Sequence, residues 1–235
     1  MDALLRRRQM MLAGGTPPAP LPYTPVEYIV TDGNCYILPG SGFAATPPKS
    51  CEMKVKMPTS FTQSTVFSLL AGYLPASGSN AKAFALARYY NKTIAFTYYG
   101  TYGSGDGMPS ISYSLDNDKP FFIKNDIKKG TQHVSVKQEN SDSWTTVAKA
   151  NNNNVSSTYM LAILAAYRNS NYEDKAPAGT RLYYCKIYGD ADYTNLVFDG
   201  VPCLYNGEYG LWDKVSDTFK GNANSTGAFS GPSNS

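Results

Sequence analysis

An all-β fold is predicted by two features of this sequence, a two-residue alternation of apolar and polar side chains and frequent turn-forming residues. The clearest alternation is EMKVKM, residues 52–57, whose apolar side chains fall on one face and whose Glu and Lys fall on the other. Composition agrees, because 19 of the 235 residues are Tyr and only 17% are charged, and Tyr favours half-buried pleated surfaces. About 11–13 short strands with regular turns are typical of a β-sandwich of two antiparallel sheets.

The strands are predicted to follow one another from Tyr23 almost to the end of the chain. Residues 83–99 are expected to form a hairpin around Asn91-Lys92, and residues 210–221 a second hairpin around Val215-Ser216-Asp217. A helical turn is one interpretation of residues 169–174. The remaining predicted strand segments are 65–73, 110–115, 121–124, 132–138, 143–149, 157–165, 181–189 and 195–205. In segment 181–189, Tyr183, Cys185 and Ile187 are expected to share a face.

Residues 1–22 differ from the rest and are predicted to be an N-terminal arm. Residues 2–12, DALLRRRQMML, read as a short basic amphipathic helix that ends at Gly14-Gly15, and residues 16–22 read as a proline-rich spacer. Such a segment is either a frayed terminus or an anchor that becomes ordered on a partner. The predicted domains are therefore the arm at 1–22, a β-sandwich at 23–232 and a tail at 233–235.

Charge and cysteine content exclude several classes of protein. The formal charge is +3, of which +2 lies in residues 1–22, so a nucleic-acid binder with its concentrated basic patch is not expected. No stretch reaches the ~20 apolar residues of a membrane span, and the apolar run after the arginines is too short for a signal peptide. The four cysteines lack CxxC spacing, so we expect reduced, buried thiols in a chain made in a cytoplasm, with no metal and no cofactor.

The segment YYGTYGSGDGMPSISY, residues 98–113, is the best candidate for a binding loop. Aromatic rings stack on sugar faces, and carboxylates accept hydrogen bonds from sugar hydroxyls, so this composition suits a glycan-contact or protein-contact loop. The alternative is a glycine-rich hairpin whose tyrosines pack on the sheet. The candidate contact residues are Tyr98, Tyr99, Tyr102, Asp106 and Tyr113.

Five segments carry a resemblance to a known family. They are PVEYIVTDGNCYI (25–37), TQHVSVKQ (131–138), RLYYCKIYGD (181–190), LVFDGVPCLY (196–205) and GLWDKVSDTFKGNANSTGAFSGP (210–232). Their order and spacing resemble the concanavalin A-like lectin/glucanase (LamG-like) jelly roll found in phage and prophage virion proteins of gut bacteria. The departures are modest: Trp212 stands where Tyr is usual, and Gln132 where an aromatic residue or His is more common.

The resemblance implies a jelly-roll fold and a structural role, and catalytic residues are not predicted. Glucanases of this fold carry E-x-D-x-E on one strand, as nucleophile and acid/base, and the acidic residues here do not fit that spacing. His133, the single histidine, reads as a surface strand residue. The Asp116–Asp118 and Asp190/Asp192 clusters read as turns, and the Trp212-Asp213 pair as part of a closing hairpin.

The function implied is a non-enzymatic accessory protein of a bacteriophage virion, in the capsid, a head fibre or the tail. The arm would dock on another virion protein, and the chain would be oligomeric in the assembly. The alternative is a lectin-type module that binds cell-surface glycans through a concave sheet face or the 98–113 loop. The expected docking residues are Leu4, Leu5, Arg6, Arg7, Arg8, Met10 and Met11.

Overall fold

The regular elements in the structure are β-strands. The computed structural model describes residues 20–40, 49–59, 67–72, 82–88, 93–101, 110–112, 119–128, 130–150, 161–168 and 171–232. No helix in these ranges is long and apolar enough to cross a membrane. The strands are β1 (Thr24–Pro25), β2 (Ile29–Val30), β3 (Ser50–Lys56), β4 (Phe67–Ala71), β5 (Lys82–Arg88), β6 (Thr93–Thr101), β7 (Ser110–Ser112), β8 (Phe121–Lys128), β9 (Thr131–Gln138), β10 (Thr145–Ala150), β11 (Ala162–Ile163), β12 (Ala166–Arg168), β13 (Asn171–Glu173), β14 (Arg181–Tyr188), β15 (Leu196–Tyr205), β16 (Glu208–Asp213) and β17 (Thr218–Lys220).

The large sheet has ten antiparallel strands and is built mainly from segments distant in sequence. Its order is β10-β9-β8-β3-β14-β15-β16-β17. The short strands β1 and β2 belong to one segment, residues 24–30, which lies between β14 and β15. In that segment Ile29 pairs with Leu182 of β14, and Thr24 pairs with Leu204 of β15. The start of the sandwich therefore enters the large sheet between two long strands.

A second sheet covers the large one and closes the core. Its five strands run in the order β11-β4-β5-β6-β7, and β12 and β13 form a separate two-stranded sheet. One buried cluster joins Leu70 and Leu86 of the small sheet to Met53, Phe121 and Val134 of the large sheet. Burial of each such side chain stabilises the fold by about 1.5–3 kcal/mol. Two antiparallel sheets packed face to face confirm the predicted jelly-roll β-sandwich.

The alternation predicted for residues 52–57 is confirmed. Met53, Val55 and Met57 are buried, while the Glu and two Lys between them are half-exposed. Because side chains of neighbouring antiparallel strands that lie opposite each other share a face, those polar residues define the outer face of the large sheet, the face turned away from the core.

The prediction that Tyr183 shares a face with Cys185 and Ile187 is wrong. In the pairing of β14 with β3, Leu182 lies opposite Val55 and Tyr184 opposite Lys54, so Tyr183 is an extra residue. A β-bulge of this kind interrupts the two-residue alternation. The ring of Tyr183 accordingly lies on the outer face, 4.6 Å from Lys54 Nζ, while Cys185 and Ile187 remain in the core.

The interpretation of residues 169–174 as a helical turn is also wrong. Asn171–Glu173 is strand β13, paired with β12. Tyr172 explains why this segment is a strand, because its ring stacks on Tyr36 at 4.3 Å and packs edge to face against Tyr167 at 5.2 Å. Tertiary packing of these rings outweighs the local turn preference. Of the predicted strand 157–165, residues 161–165 are described, and within them only Ala162–Ile163 pairs as a strand.

The hairpin predicted at residues 210–221 is confirmed as β16 and β17. The Asp213 carboxylate accepts hydrogen bonds from the amides of Asp199, Val215 and Ser216 and from the Ser216 hydroxyl. Trp212 is buried beneath Tyr23 and Tyr205 and donates its indole N–H to Asp217 at 3.1 Å. Both residues of the Trp-Asp pair therefore hold the hairpin together.

The prediction of buried thiols is confirmed for all four cysteines. Each is buried and forms no disulfide bond. Burial raises the pKa of the Cys203 thiol to about 11. The pKa of the Cys35 thiol is also raised to about 11, by burial and by a hydrogen bond to Asp32. Thiols with such pKa values are almost wholly protonated near neutral pH and are poor nucleophiles.

Candidate functional site on the outer face of the large sheet

Most of the site residues predicted from the sequence lie outside the described residues. The docking residues of the arm fall in residues 1–19, and Tyr102, Asp106 and Tyr113 fall in two further segments of that kind. Tyr98 and Tyr99 lie on β6, of which only the backbone is described. The arm and the 98–113 loop therefore stay predictions, and the candidate site below is a different one.

Cross-strand pairing on the outer face brings aromatic and lysine side chains into one row. Tyr184 of β14 lies opposite Lys54 of β3, Lys54 opposite Phe122 of β8, and Phe122 opposite Lys137 of β9. Trp144 continues the row beside Lys137, because the next residue, Thr145, pairs with Val136. We call these five residues, Tyr184, Lys54, Phe122, Lys137 and Trp144, the lysine–aromatic row.

The ammonium groups of the row lie close to the faces of the rings. Lys54 Nζ is 5.4 Å from the centroid of Phe122, and Lys137 Nζ is 5.3 Å from Phe122 and 5.6 Å from Trp144. All are within the ~6 Å at which a cation is attracted by an aromatic quadrupole. Phe122 and Trp144 also meet edge to face at 6.5 Å. The side chains thus order one another on the outer face of the sheet.

A second row runs beside the first and supplies hydrogen-bonding groups. It contains Glu52, Lys124, Ser135 and Thr146, paired in that order across β3, β8, β9 and β10. Lys124 Nζ lies 3.5 Å from Glu52 and 5.1 Å from the Trp144 ring. The hydroxyls of Ser135 and Thr146 are 2.8 Å apart.

Tyr184 links the two rows through its hydroxyl. The hydroxyl donates a hydrogen bond of 2.6 Å to Glu52 Oε1. Burial, and then the neighbouring Glu52 carboxylate, raise the pKa of Tyr184 far above its usual range. Tyr184 therefore remains a neutral hydrogen-bond donor at any physiological pH.

A third group closes one end of the face around Asp126. Its carboxylate contacts Nδ1 of His133 at 2.8 Å and accepts a hydrogen bond from the Tyr193 hydroxyl at 3.2 Å. The prediction that His133 lies on the surface, opposite Val134 and Val136, is confirmed. Burial, and next the Asp126 charge, raise the pKa of Tyr193 well above its usual range, so this hydroxyl also stays protonated.

Tyr193 lies in a loop whose conformation is stabilised by Asp190, an acidic residue of the same loop. Asp190 accepts hydrogen bonds from the amides of Thr194 and Asn195 and from the Thr194 hydroxyl. This agrees with the interpretation of the Asp190/Asp192 cluster as a turn. Among the described residues, moreover, three or more His, Cys, Asp or Glu side chains nowhere cluster as metal ligands would.

A separate pocket of about 230 Å³ lies near the C-terminal tail, lined by Glu208, Tyr209, Asn222 and Asn224 among others. The Asn222 side chain is already bonded to the amides of Tyr36 and Asn224 and to the carbonyls of Asn224 and Gly227. These amide contacts hold the tail in place. The outer face of the large sheet is therefore the better candidate for ligand binding.

Sequence reasoning missed the lysine–aromatic row, although part of its signal was present. The alternation in residues 121–128 and 131–138 assigns Phe122, Lys124 and Lys137 to the solvent side. The pairing of β3 with β8 and β14 could not be read from those segments, because the partners are roughly 70 and 130 residues apart in the chain. The lysine–aromatic row can therefore be recognised only when the strand order is known.

Comparisons with known proteins agree on the fold. No family model matches the sequence, and no curated protein matches it. The CBM40 of a Ruminococcus gnavus IT-sialidase is similar in structure, with a TM-score of 0.51 and 13% identity over 72% of this chain and 91% of that one. A leech intramolecular trans-sialidase gives a TM-score of 0.50 and 12% identity over 70% of this chain and 25% of its own.

A bacteriophage CBA120 tailspike protein 2 domain gives a TM-score of 0.44 and 17% identity, over 67% of this chain and 27% of the tailspike. The chain thus spans about a quarter of the leech enzyme and of the tailspike domain. The CBM40 and the leech enzyme share its fold at low sequence identity. The similarity is accordingly one of fold, the jelly-roll β-sandwich.

Proposed function

We propose that this chain is a non-catalytic carbohydrate-binding module that holds a glycan on the lysine–aromatic row. The observation that carries the proposal is the alternation of rings and ammonium groups across four paired strand positions and Trp144, the residue before β10. Rings of Trp and Phe offer flat apolar surfaces to sugar rings, and lysine, serine and threonine side chains offer hydrogen bonds to hydroxyls. The nearby Glu52 carboxylate is a matching acceptor.

The rigidity of the face supports this proposal. The rings and ammonium groups are held by cross-strand pairing and by one another, so little side-chain entropy is lost when a ligand binds. Rings that are half-exposed, as Phe122 and Trp144 are, keep surface available for contact. The similarity in fold to the CBM40, whose designation denotes a carbohydrate-binding module, is consistent with the proposal.

A glycan array followed by titration calorimetry tests the proposal. We expect binding by the wild type and at least a tenfold loss in Trp144→Ala and Phe122→Ala, because each removes a stacking surface. Tyr205→Ala is the matched control, since Tyr205 is a half-buried ring on the same sheet that contacts Trp212 and Phe219 instead of the row. If no glycan on a broad array binds at millimolar concentration, the proposal is wrong.

A second candidate, an accessory protein of a bacteriophage virion, is favoured by the order of the five sequence motifs across residues 25–232. In that role residues 1–22 dock on another virion protein and the sandwich displays its outer face. Leu21, with 57% of its surface exposed, and the Tyr23 stack on Trp212 would mark where the arm leaves the domain. The two functions are compatible, because a displayed lectin-like module can serve adhesion.

The virion candidate is tested by mass spectrometry of purified particles. A fixed copy number relative to the major shell protein, lost after deletion of residues 1–22 while the sandwich still folds, is the expected result. Absence of the chain from particles would exclude this role and leave the carbohydrate-binding proposal untouched.

A further inference from the structure

We propose that the glycan recognised by the lysine–aromatic row is acidic, and that the Lys137 ammonium binds a sugar carboxylate. This inference rests on the proposed carbohydrate-binding function and assigns its ligand class. Three lysines lie over aromatic rings on this face, Lys54, Lys124 and Lys137, and they differ in their contacts with carboxylates.

Two of those lysines are already neutralised by neighbouring carboxylates. Lys54 Nζ lies 2.5 Å from Glu139 Oε1, and Lys124 Nζ lies 3.5 Å from Glu52 Oε2. Lys137 differs: within the part of the chain that the structure describes, its ammonium has no carboxylate within 4.0 Å. Its neighbours are the rings of Phe122 and Trp144. A cation held between two rings with its charge uncompensated is a ready partner for an anionic group.

The position of Lys137 suits a sugar that stacks on either neighbouring ring. Its Nζ is 5.3 Å from the centroid of Phe122 and 5.6 Å from that of Trp144. A carboxylate on the rim of a stacked sugar would therefore lie within hydrogen-bonding reach of the ammonium. Across the row from β14 to β10, four strand spacings of ~4.8 Å give about 19 Å, a length suited to a short oligosaccharide rather than a single sugar.

The charge of the strand positions on this face points to the same ligand class. Outward positions of β3, β8, β9 and β14 carry seven cationic side chains and two carboxylates, Glu52 and Asp126. Further carboxylates lie beside the face, namely Glu27, Glu139, Asp190, Asp192 and Asp199. The surplus of positive charge is thus confined to the strand positions that surround the row, and residues 23–235 together carry only +1. A surplus of one sign attracts ligands of the opposite sign. The seven cations are Lys54, Lys56, Lys124, Lys128, Lys137, Arg181 and Lys186.

The test uses oligosaccharides that differ only in the carboxylate. An array of uronate-containing tetrasaccharides, each printed beside its carboxyl-reduced form, selects a pair for calorimetry. We expect the wild type to bind the acidic member about tenfold more tightly, with a preference that shrinks between 50 and 500 mM salt because the interaction is screened. Lys137→Gln should remove most of the preference and leave affinity for the reduced form nearly unchanged.

Lys128→Gln is the matched control. It removes the same charge from the neighbouring strand, but Lys128 lies at the end of β8, pairs with Asp192 at 2.8 Å and contacts no member of the row. It should keep the acidic preference.

Equal affinity of the wild type for both members of every pair overturns this inference while the proposed function stands. Failure to bind any member of this array overturns this inference, and failure on the broad glycan array as well overturns the proposed function. If Lys137→Gln weakens both members equally, Lys137 only orders the rings, and the assignment of the carboxylate contact is wrong.

Discussion

The ring of Tyr23 stacks on the indole of Trp212, with centroids 4.8 Å apart and 25° between their planes. This contact joins the first residue of the sandwich to its last hairpin across nearly the whole length of the chain. Trp212 also contacts the ring of Tyr205, with centroids 5.5 Å apart. The stack therefore closes the aromatic cluster at this end of the large sheet.

Tyr23→Ala is expected to lower the free energy of unfolding by about 1–3 kcal/mol, because it removes the stack and exposes Trp212. Chemical denaturation followed by tryptophan fluorescence measures this. Tyr23→Phe keeps the ring and should stay within about 0.5 kcal/mol of wild type. Deletion of residues 1–22 spares the stack and should likewise leave the stability nearly unchanged; a large loss would show that the arm contributes to the fold.

Asp213→Ala is expected to cost about 2–4 kcal/mol, because it leaves three backbone amides and the Ser216 hydroxyl without their acceptor. Asp213→Asn retains one acceptor oxygen and should cost less. Urea denaturation compares the two variants. Asp217→Ala, which removes only the acceptor of the Trp212 indole N–H, is the milder control, and equal losses in all three variants would contradict the assigned role of Asp213.

Trp144 is expected to report ligand binding by fluorescence. The chain has two tryptophans, one on the row and the other, Trp212, buried in the cluster beneath Tyr23. Stacking of a sugar changes the solvent exposure of Trp144 alone. A saturating glycan should therefore shift the emission of Trp212→Phe and leave that of Trp144→Phe unchanged. The opposite pattern would place the ligand near the hairpin, away from the row.

Asp190 is expected to titrate below the ordinary Asp pKa of 3.8. The Thr194 hydroxyl first, and then the amides of Thr194 and Asn195, donate hydrogen bonds that favour its charged form and lower its pKa. Its stabilising contribution is thus complete above pH 3.8 and is lost as the pH falls through the lower folded value. Carboxyl-detected NMR measures the midpoint, which Thr194→Val should raise and Thr59→Val, an exposed threonine elsewhere, should leave unchanged.

The fold could be predicted from the sequence because alternation is a local property. Residues 52–57 and the hairpin at 210–221 carry their pattern within a few positions, so the sequence was sufficient there. The side of Tyr183 could not be predicted, since a bulge depends on how β14 pairs with β3. Residues 171–173 form a strand for a similar reason, as the stack of Tyr172 on Tyr36 connects segments roughly 135 residues apart.

The candidate site could not be predicted from the sequence for the same physical reason. Loop composition drew attention to residues 98–113, where Tyr and Gly are adjacent in the chain. The lysine–aromatic row has no two members adjacent in sequence. Phe122, Lys137 and Trp144 are brought together by the consecutive strands β8, β9 and β10, but Lys54 and Tyr184 join them through pairing of strands that are distant in sequence. An aromatic residue opposite a lysine is informative only when the strand order is known.

The insertion of residues 24–30 between β14 and β15 has a mechanical consequence. A chain that entered at a sheet edge could be peeled away one pair at a time by tension on its N-terminus. Here tension on residues 1–22 acts first on the stack of Tyr23 on Trp212. It then acts on β1, which is hydrogen-bonded to β15, and on β2, which is hydrogen-bonded to β14. Single-molecule stretching from the N-terminus should therefore meet greater resistance than stretching that loads the edge strand β17.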